Sequence, residues 1–157
     1  MEWRPLPVRF LRRLLSAWRG SSAVPRRAAT EPPDPAELLS RFLTQSGKFT
    51  RDRVKPTAFL PGPDGTTSTF RTHGLTTDEI WALGESRVAA PRGRRLYGRG
   101  DVRVSSVVAT GLTVNPDDDP PRHAGIVGWP DGKDARLSLA QRLAACAALR
   151  LRASSGL

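Results

Sequence analysis

Hydrophobic positions in this chain fall into short blocks, each closed by proline, glycine or a cluster of charges. That spacing suits strands and short helices rather than long helical repeats. The clearest block is His123 to Gly128, in which Ala124, Ile126 and Val127 are apolar without strict alternation, the pattern of a strand covered on both faces. It is predicted to be the central strand, with Gly125 and Gly128 leaving room for close backbone approach. Ahead of it, Asn115 to Arg122 holds Asp117, Asp118, Asp119, Pro120 and Pro121. Two prolines remove two donors and three carboxylates favour water, so this stretch is predicted to be a stiff, polar connection. Leu112 to Val114 reads as the strand leading into it.

The other blocks complete an α/β (α+β) domain with a small mixed sheet flanked by two longer helices. Asp34, Pro35 and Glu37 resemble a capped helix start, and Leu38, Leu39, Phe42 and Leu43 would form one apolar face of a helix ending by Gly47. Val54 to Leu60 and Ser68 to Thr72 read as strands either side of a turn at Pro61 to Gly65. Thr76 to Gly84 is a short helix: Thr76 caps it, Glu79 reciprocates, Ile80, Trp81 and Leu83 point inward, and Gly84 closes it. Val102 to Val104 is a short strand, and Ser105 to Thr110 a helical turn capped by Ser105. Leu137 to Arg152 is the closing helix, with Leu139, Ala140, Leu143, Ala144, Ala147 and Leu151 on its apolar face and Cys146 on or beside it as a small buried residue.

Upstream, Leu6 to Arg19 is amphipathic: Leu6, Phe10, Leu14 and Ala17 share one side, and Arg9, Arg12, Arg13 and Arg19 the other. Arginines interrupt any secretory core, whereas an anionic membrane surface, a transit segment or a partner's groove would each accept such a helix. The alternative is an appendage that never orders. Residues 1–33 therefore read as a basic helix and flexible tether, 34–152 as the α/β domain and 153–157 as a tail.

A length of 157 residues supports one core. No apolar run approaches the roughly 20 residues of a membrane span. The single cysteine excludes an internal disulfide framework and agrees with a reducing, cytoplasmic setting. The net charge is +10, basic both before and after residue 35. Such a balance attracts nucleic acid, an acidic protein or an anionic surface, although base composition of the genome also yields arginine-rich chains.

The densest positive patch is Pro91 to Gly100, where Arg92, Arg94, Arg95 and Arg99 surround Tyr97. Arginines on a flexible loop can hold phosphates while the aromatic ring stacks on a base, so these five are the nucleic-acid-binding candidates. Arg99, Gly100 and Asp101 match a cell-adhesion tripeptide, but three residues recur by chance. His73 and His123 lack metal-ligand spacing, and no metal or cofactor is predicted. With Arg71 they compose a second reading, a metal-independent nuclease or transferase in which imidazoles move protons and a guanidinium steadies a phosphate. A structural role for His123, bonding the polar turn to the sheet, competes with it. Asp117 to Asp119 read as a solvated loop rather than a cation site. A third reading is a peripheral membrane protein held by residues 6–19.

VKPTAFLP (Val54 to Pro61), TFRTHGL (Thr69 to Leu75), EIWALG (Glu79 to Gly84) and DDDPPRHAGIVGWP (Asp117 to Pro130) resemble segments of a family of small uncharacterised bacterial proteins. The resemblance spans roughly Ala36 to Leu151. It implies a bacterial, cytoplasmic setting and an appended amino-terminal helix, and it brings no activity, cofactor or site residue. The favoured reading is a non-catalytic accessory or binding protein whose basic surface contacts nucleic acid or an acidic partner.

Overall fold

The computed structural model describes residues 32–153. The predicted amphipathic helix at 6–19, its tether up to residue 31, and residues 154–157 lie outside the described residues. Six strands, β1 (Leu38–Leu43), β2 (Thr67–Arg71), β3 (Gly98–Arg103), β4 (Thr113–Pro116), β5 (His123–Val127) and β6 (Ala148–Leu151), form one sheet in the order β4-β5-β2-β1-β3-β6. Every pairing is antiparallel, so the expected mixed sheet is corrected to an antiparallel one. Three α-helices accompany it: α1 (Thr77–Gly84), α2 (Val104–Val108) and α3 (Lys133–Cys146).

The sheet carries a core on each face. Leu39, Leu43, Val102, Val114, Ala124 and Ile126 on one face pack with Phe59 and with Ala140 and Leu143 of α3. Phe42 and Phe70 on the other pack with Ile80, Val88, Ala89 and Leu96 of the α1 region. β5 lies between β2 and β4, paired on both sides and buried at Ala124, Gly125 and Ile126. It is an interior strand as expected, but the centre of the sheet is β2 and β1. Gly125 leaves room for a side chain rather than a backbone: a Cβ there would stand 2.6 Å from the Thr66 methyl.

Residues 34–47 are not a helix. Asp34 does cap, accepting from the Ala36 amide at 2.8 Å, but the turn ends at once and Leu38–Leu43 becomes β1. Glu37, expected to reciprocate the cap, instead takes Arg71. Because both faces of β1 are buried, its apolar residues do not alternate, and the run LLSRFL reads equally well as helix. Residues 54–60 form a 3-10 turn at Pro56–Ala58 rather than a strand, with Val54 buried in the core and paired through an isolated bridge to Phe49. The closing helix starts and ends earlier than expected, at Lys133 and Cys146, and the chain then extends into β6, drawn there by the free edge of β3. Cys146 is exposed rather than buried, since the chain turns away from helix at the next residue. Among the described residues the first of the two predicted flanking helices is therefore replaced by β1, and α3 is the second.

The capping box of α1 forms as predicted: Thr76 Oγ1 accepts from the Glu79 amide and Glu79 accepts from that of Thr76. Gly84, however, does not terminate the helical path. It continues through a π turn (Glu85–Ala89) and a 3-10 turn (Ala90–Arg92). Gly84 serves packing instead, because a Cβ there would lie 2.5 Å from Phe42 Cδ1 and 2.9 Å from Leu96 Cδ2. Gly84→Ala is accordingly expected to cost about 1–3 kcal/mol through overpacking, although alanine is the better helix former by about 1 kcal/mol. Urea denaturation checks this, and an unchanged or raised midpoint would contradict the close approach.

Candidate functional site

The carboxyl end of β1 and the turn after Ala89 enclose a small pocket of about 180 Å³, lined by Arg41, Phe42, Leu43, Thr44, Gln45, Lys48, Ala58, Arg92 and Arg94. Four of these are cations and none is a carboxylate. Among the described residues none of the four is ion-paired.

Arg41 anchors the pocket. Its half-buried guanidinium donates from Nε to the Ala58 carbonyl at 2.9 Å and from one terminal nitrogen to the Ser68 carbonyl at 2.8 Å. Two neutral acceptors orient the group without neutralising it. Burial, and then the charge of Arg92, bring the Arg41 pKa down to about 10. Lys48 is held by the Thr57 carbonyl at 2.9 Å, and its pKa is lowered first by burial and then by Arg41. Cations that disfavour one another's charge, in a concavity without acids, form a site that an anion would relieve. Arg92 and Arg94 are exposed at its mouth, and the Arg94 amide is pinned to the Ala89 carbonyl at 3.0 Å.

The five nucleic-acid candidates therefore divide. Arg92 and Arg94 line the pocket, whereas Arg95 is exposed and lies over the Tyr97 ring at 5.3 Å. Tyr97 also meets Phe49, ring centroids 5.9 Å apart, so its ring is partly engaged by the protein itself. Arg99 is a correction. It sits in β3, only 7 % exposed, bonded to Asp101 and stacked over Trp81 at 4.7 Å. The α1 region covers this face of β3, so Arg99 is closed to nucleic acid. Arg99, Gly100 and Asp101 are all buried, which removes the adhesion-tripeptide reading.

Among the described residues no side-chain hydrogen bond links His73, His123 and Arg71, the predicted catalytic trio. His73 is exposed on the turn after β2 and shares no hydrogen bond with His123. Arg71 is committed to Glu37, donating from Nε at 2.7 Å and from a terminal nitrogen at 3.2 Å; that bond raises its pKa. His123 does join the polar turn to the sheet. Its Nδ1 lies 2.7 Å from Asp117 Oδ1 and its Nε2 2.8 Å from Ser68 Oγ.

Sequence reasoning missed Arg41, Lys48, Ser68 and the part played by Asp117. Arg41 had one signal, a charge set inside the apolar run LLSRFL, where a half-buried cation is unusual. Ser68 and Asp117 had none, because the contacts that matter cross strands 55 residues apart in sequence or form within a turn.

Among the described residues no group of three or more potential metal ligands is gathered, and no helix is long and apolar enough to cross a membrane. What the fold and pocket define is an antiparallel α+β protein with a pocket at one end of its sheet lined, among the described residues, by four cations and no carboxylate. No protein-family model, curated protein or solved structure matches the chain.

Proposed function

We propose that the protein is a nucleic-acid-binding accessory protein that grips the phosphodiester backbone of a single strand in the pocket of Arg41, Lys48, Arg92 and Arg94. The observation that carries this reading is the half-buried Arg41, oriented by two carbonyls, partnered by no acid and pressed upon by Arg92. Planar guanidinium groups suit phosphate oxygens, and a pocket of this size takes an anionic group rather than a large ligand. Arg95, exposed over the Tyr97 ring, follows Arg94 directly in the chain and would extend the surface along which a strand runs. The net charge of +10 draws polyanions toward it. A bacterial, cytoplasmic setting accompanies the proposal, resting on the resemblance described above and on the single cysteine.

The test is fluorescence anisotropy with labelled single-stranded DNA and RNA at increasing salt, with polyglutamate as competitor. Contact with three or four phosphates gives a slope of log K against log salt of roughly −2 to −3. Absence of binding at low salt overturns the reading. Binding to polyglutamate as tight as to the oligonucleotide would transfer it to an acidic protein partner.

A further inference from the structure

The contacts of His123 constrain its protons. Asp117 as a carboxylate can only accept, so Nδ1 carries the hydrogen; in the neutral imidazole Nε2 then presents its lone pair, and Ser68 Oγ donates to it. Serine hydroxyl, imidazole and carboxylate thus stand in series at 2.8 and 2.7 Å, the connectivity of a charge-stabilised nucleophile.

The fold holds this series in place. Ser68 pairs with Gly125 and Phe70 with His123, which puts Ser68 and His123 on one face of adjacent strands. Phe70 meets the imidazole edge-on, ring centroids 5.4 Å apart, and fixes its plane. Asp117 is brought in by a tight turn in which Asp118 and Arg122 take left-handed backbone angles, φ 52° and 70°, and in which the His123 amide donates to the Pro120 carbonyl. Arg122 is anchored in turn, donating to the Arg71 carbonyl.

Asn115 pairs with Gly125, so Ser68, Gly125 and Asn115 lie in one row across β2, β5 and β4 on the same face. Ser68 is half-buried and the His123 side chain 13 % exposed, Gly125 lies buried beneath the Thr66 methyl, and Asn115 and Thr113 are exposed at the outer end of the row. The row is separate from the cationic pocket, which Ser68 touches only through its carbonyl.

We infer that Ser68, His123 and Asp117 form a nucleophilic site that cleaves a small acyl ester. Ser68 Oγ bonds to the acyl carbon as its proton passes to His123 Nε2, and Asp117 orients the imidazole and balances its charge. The bond from acyl carbon to alcohol oxygen breaks, and the alcohol leaves with that proton. Water then adds to the acyl carbon, giving a proton to His123, and the bond to Oγ breaks as the proton returns to Ser68. The sum is ester plus water to acid plus alcohol, with no oxidation or reduction.

The experiment uses the full chain. A fluorescent fluorophosphonate is followed by gel and by mass spectrometry of the labelled peptide, and p-nitrophenyl acetate by release of nitrophenolate. The expected result is labelling at Ser68 and a burst approaching one nitrophenolate per chain. Ser68→Ala should abolish both. Asp117→Asn, at a position already 40 % exposed, should slow labelling by roughly 100-fold or more with an unchanged melting temperature, and Asp117→Glu should restore part of the rate. Labelling spread over other residues, labelling that persists in Ser68→Ala, or no labelling of the wild type overturns the inference. Substitutions at Arg92 and Arg94 should leave the serine reactive, so the fate of the nucleic-acid reading and of this one are read separately.

Discussion

Asp101→Ala is expected to cost about 3–5 kcal/mol, the range for removing one partner of a buried ion pair, and to lower the yield of folded protein accordingly. Asp101 is 6 % exposed and accepts from Ser40 Oγ at 2.6 Å and from Arg99 Nε at 3.1 Å. Ser40 has one proton and gives it to Asp101, so Thr72 must donate to Ser40 across their 2.8 Å contact. A chain of polar groups therefore crosses β2, β1 and β3 beneath α1 and ends in the carboxylate. Without it, Arg99 keeps its charge in a nearly closed space with only the Trp81 ring beside it, and its buried Nη1 already has no partner. The Ser40 hydroxyl loses its acceptor in the same step. Asp101→Asn should cost less, because the amide oxygen can still accept. Replacing Arg99 and Asp101 together by Met and Leu should recover much of the loss, since no charge is then left unpaired. Denaturant titration of the three variants decides the matter; an Asp101→Ala midpoint close to that of the wild type would show that the strip contributes little.

The second large effect concerns the pocket. Arg92→Gln with Arg94→Gln should weaken oligonucleotide binding more than tenfold, on the scale of 1.4 kcal/mol per factor of ten, and flatten its salt dependence by roughly one unit of slope. Stability should move the other way or stay level. Arg92 is exposed, and its charge helps depress the pKa of Arg41. The sign follows from linkage. With its folded pKa lowered to about 10, Arg41 holds its proton more tightly in the unfolded chain. The resulting penalty is fully present at neutral pH and is lifted only as pH rises through about 10 toward the ordinary arginine range. Removing Arg92 reduces it at neutral pH. Thermal unfolding with and without polyphosphate reads both effects: the wild type should gain a polyphosphate-dependent rise in Tm, and the double variant should show little rise from an equal or higher starting point. A double variant that melts lower and still binds would mean that the two arginines serve the fold rather than a ligand.

Several elements were legible in the residues because their determinants are local. Thr76 and Glu79 form their capping box with neighbours three apart, and the prolines before His123 end one strand and begin the next whatever lies around them. Val127 and Ile126 signal an interior strand by being apolar side by side. Where two readings were locally equal, the fold chose. LLSRFL became strand because β2 and β3 bond to it from both sides, and the alanine-rich tail of α3 became β6 because β3 had an edge to pair. Arg99 reads as one more arginine in a basic loop until β3 turns it under the α1 region, where Asp101 and Trp81 receive it.

The candidate sites divide along the same line. Arg92 and Arg94 were visible as a cluster of charge, yet their significance depends on Arg41 and Lys48, which approach from 44 and more residues away in sequence. His123 was visible as one of two histidines, yet its partners come from the register of β2 against β5 and from the turn that carries Asp117. The residues by themselves determined a basic α+β chain, the capping box of Thr76 and Glu79, and an interior strand after a proline corner, because hydrophobicity, charge and backbone restriction act over a few neighbours. Strand order, antiparallel register, which arginines are sheltered and which hydroxyl meets the imidazole were decided only by the tertiary structure, because each depends on pairing between segments distant along the chain.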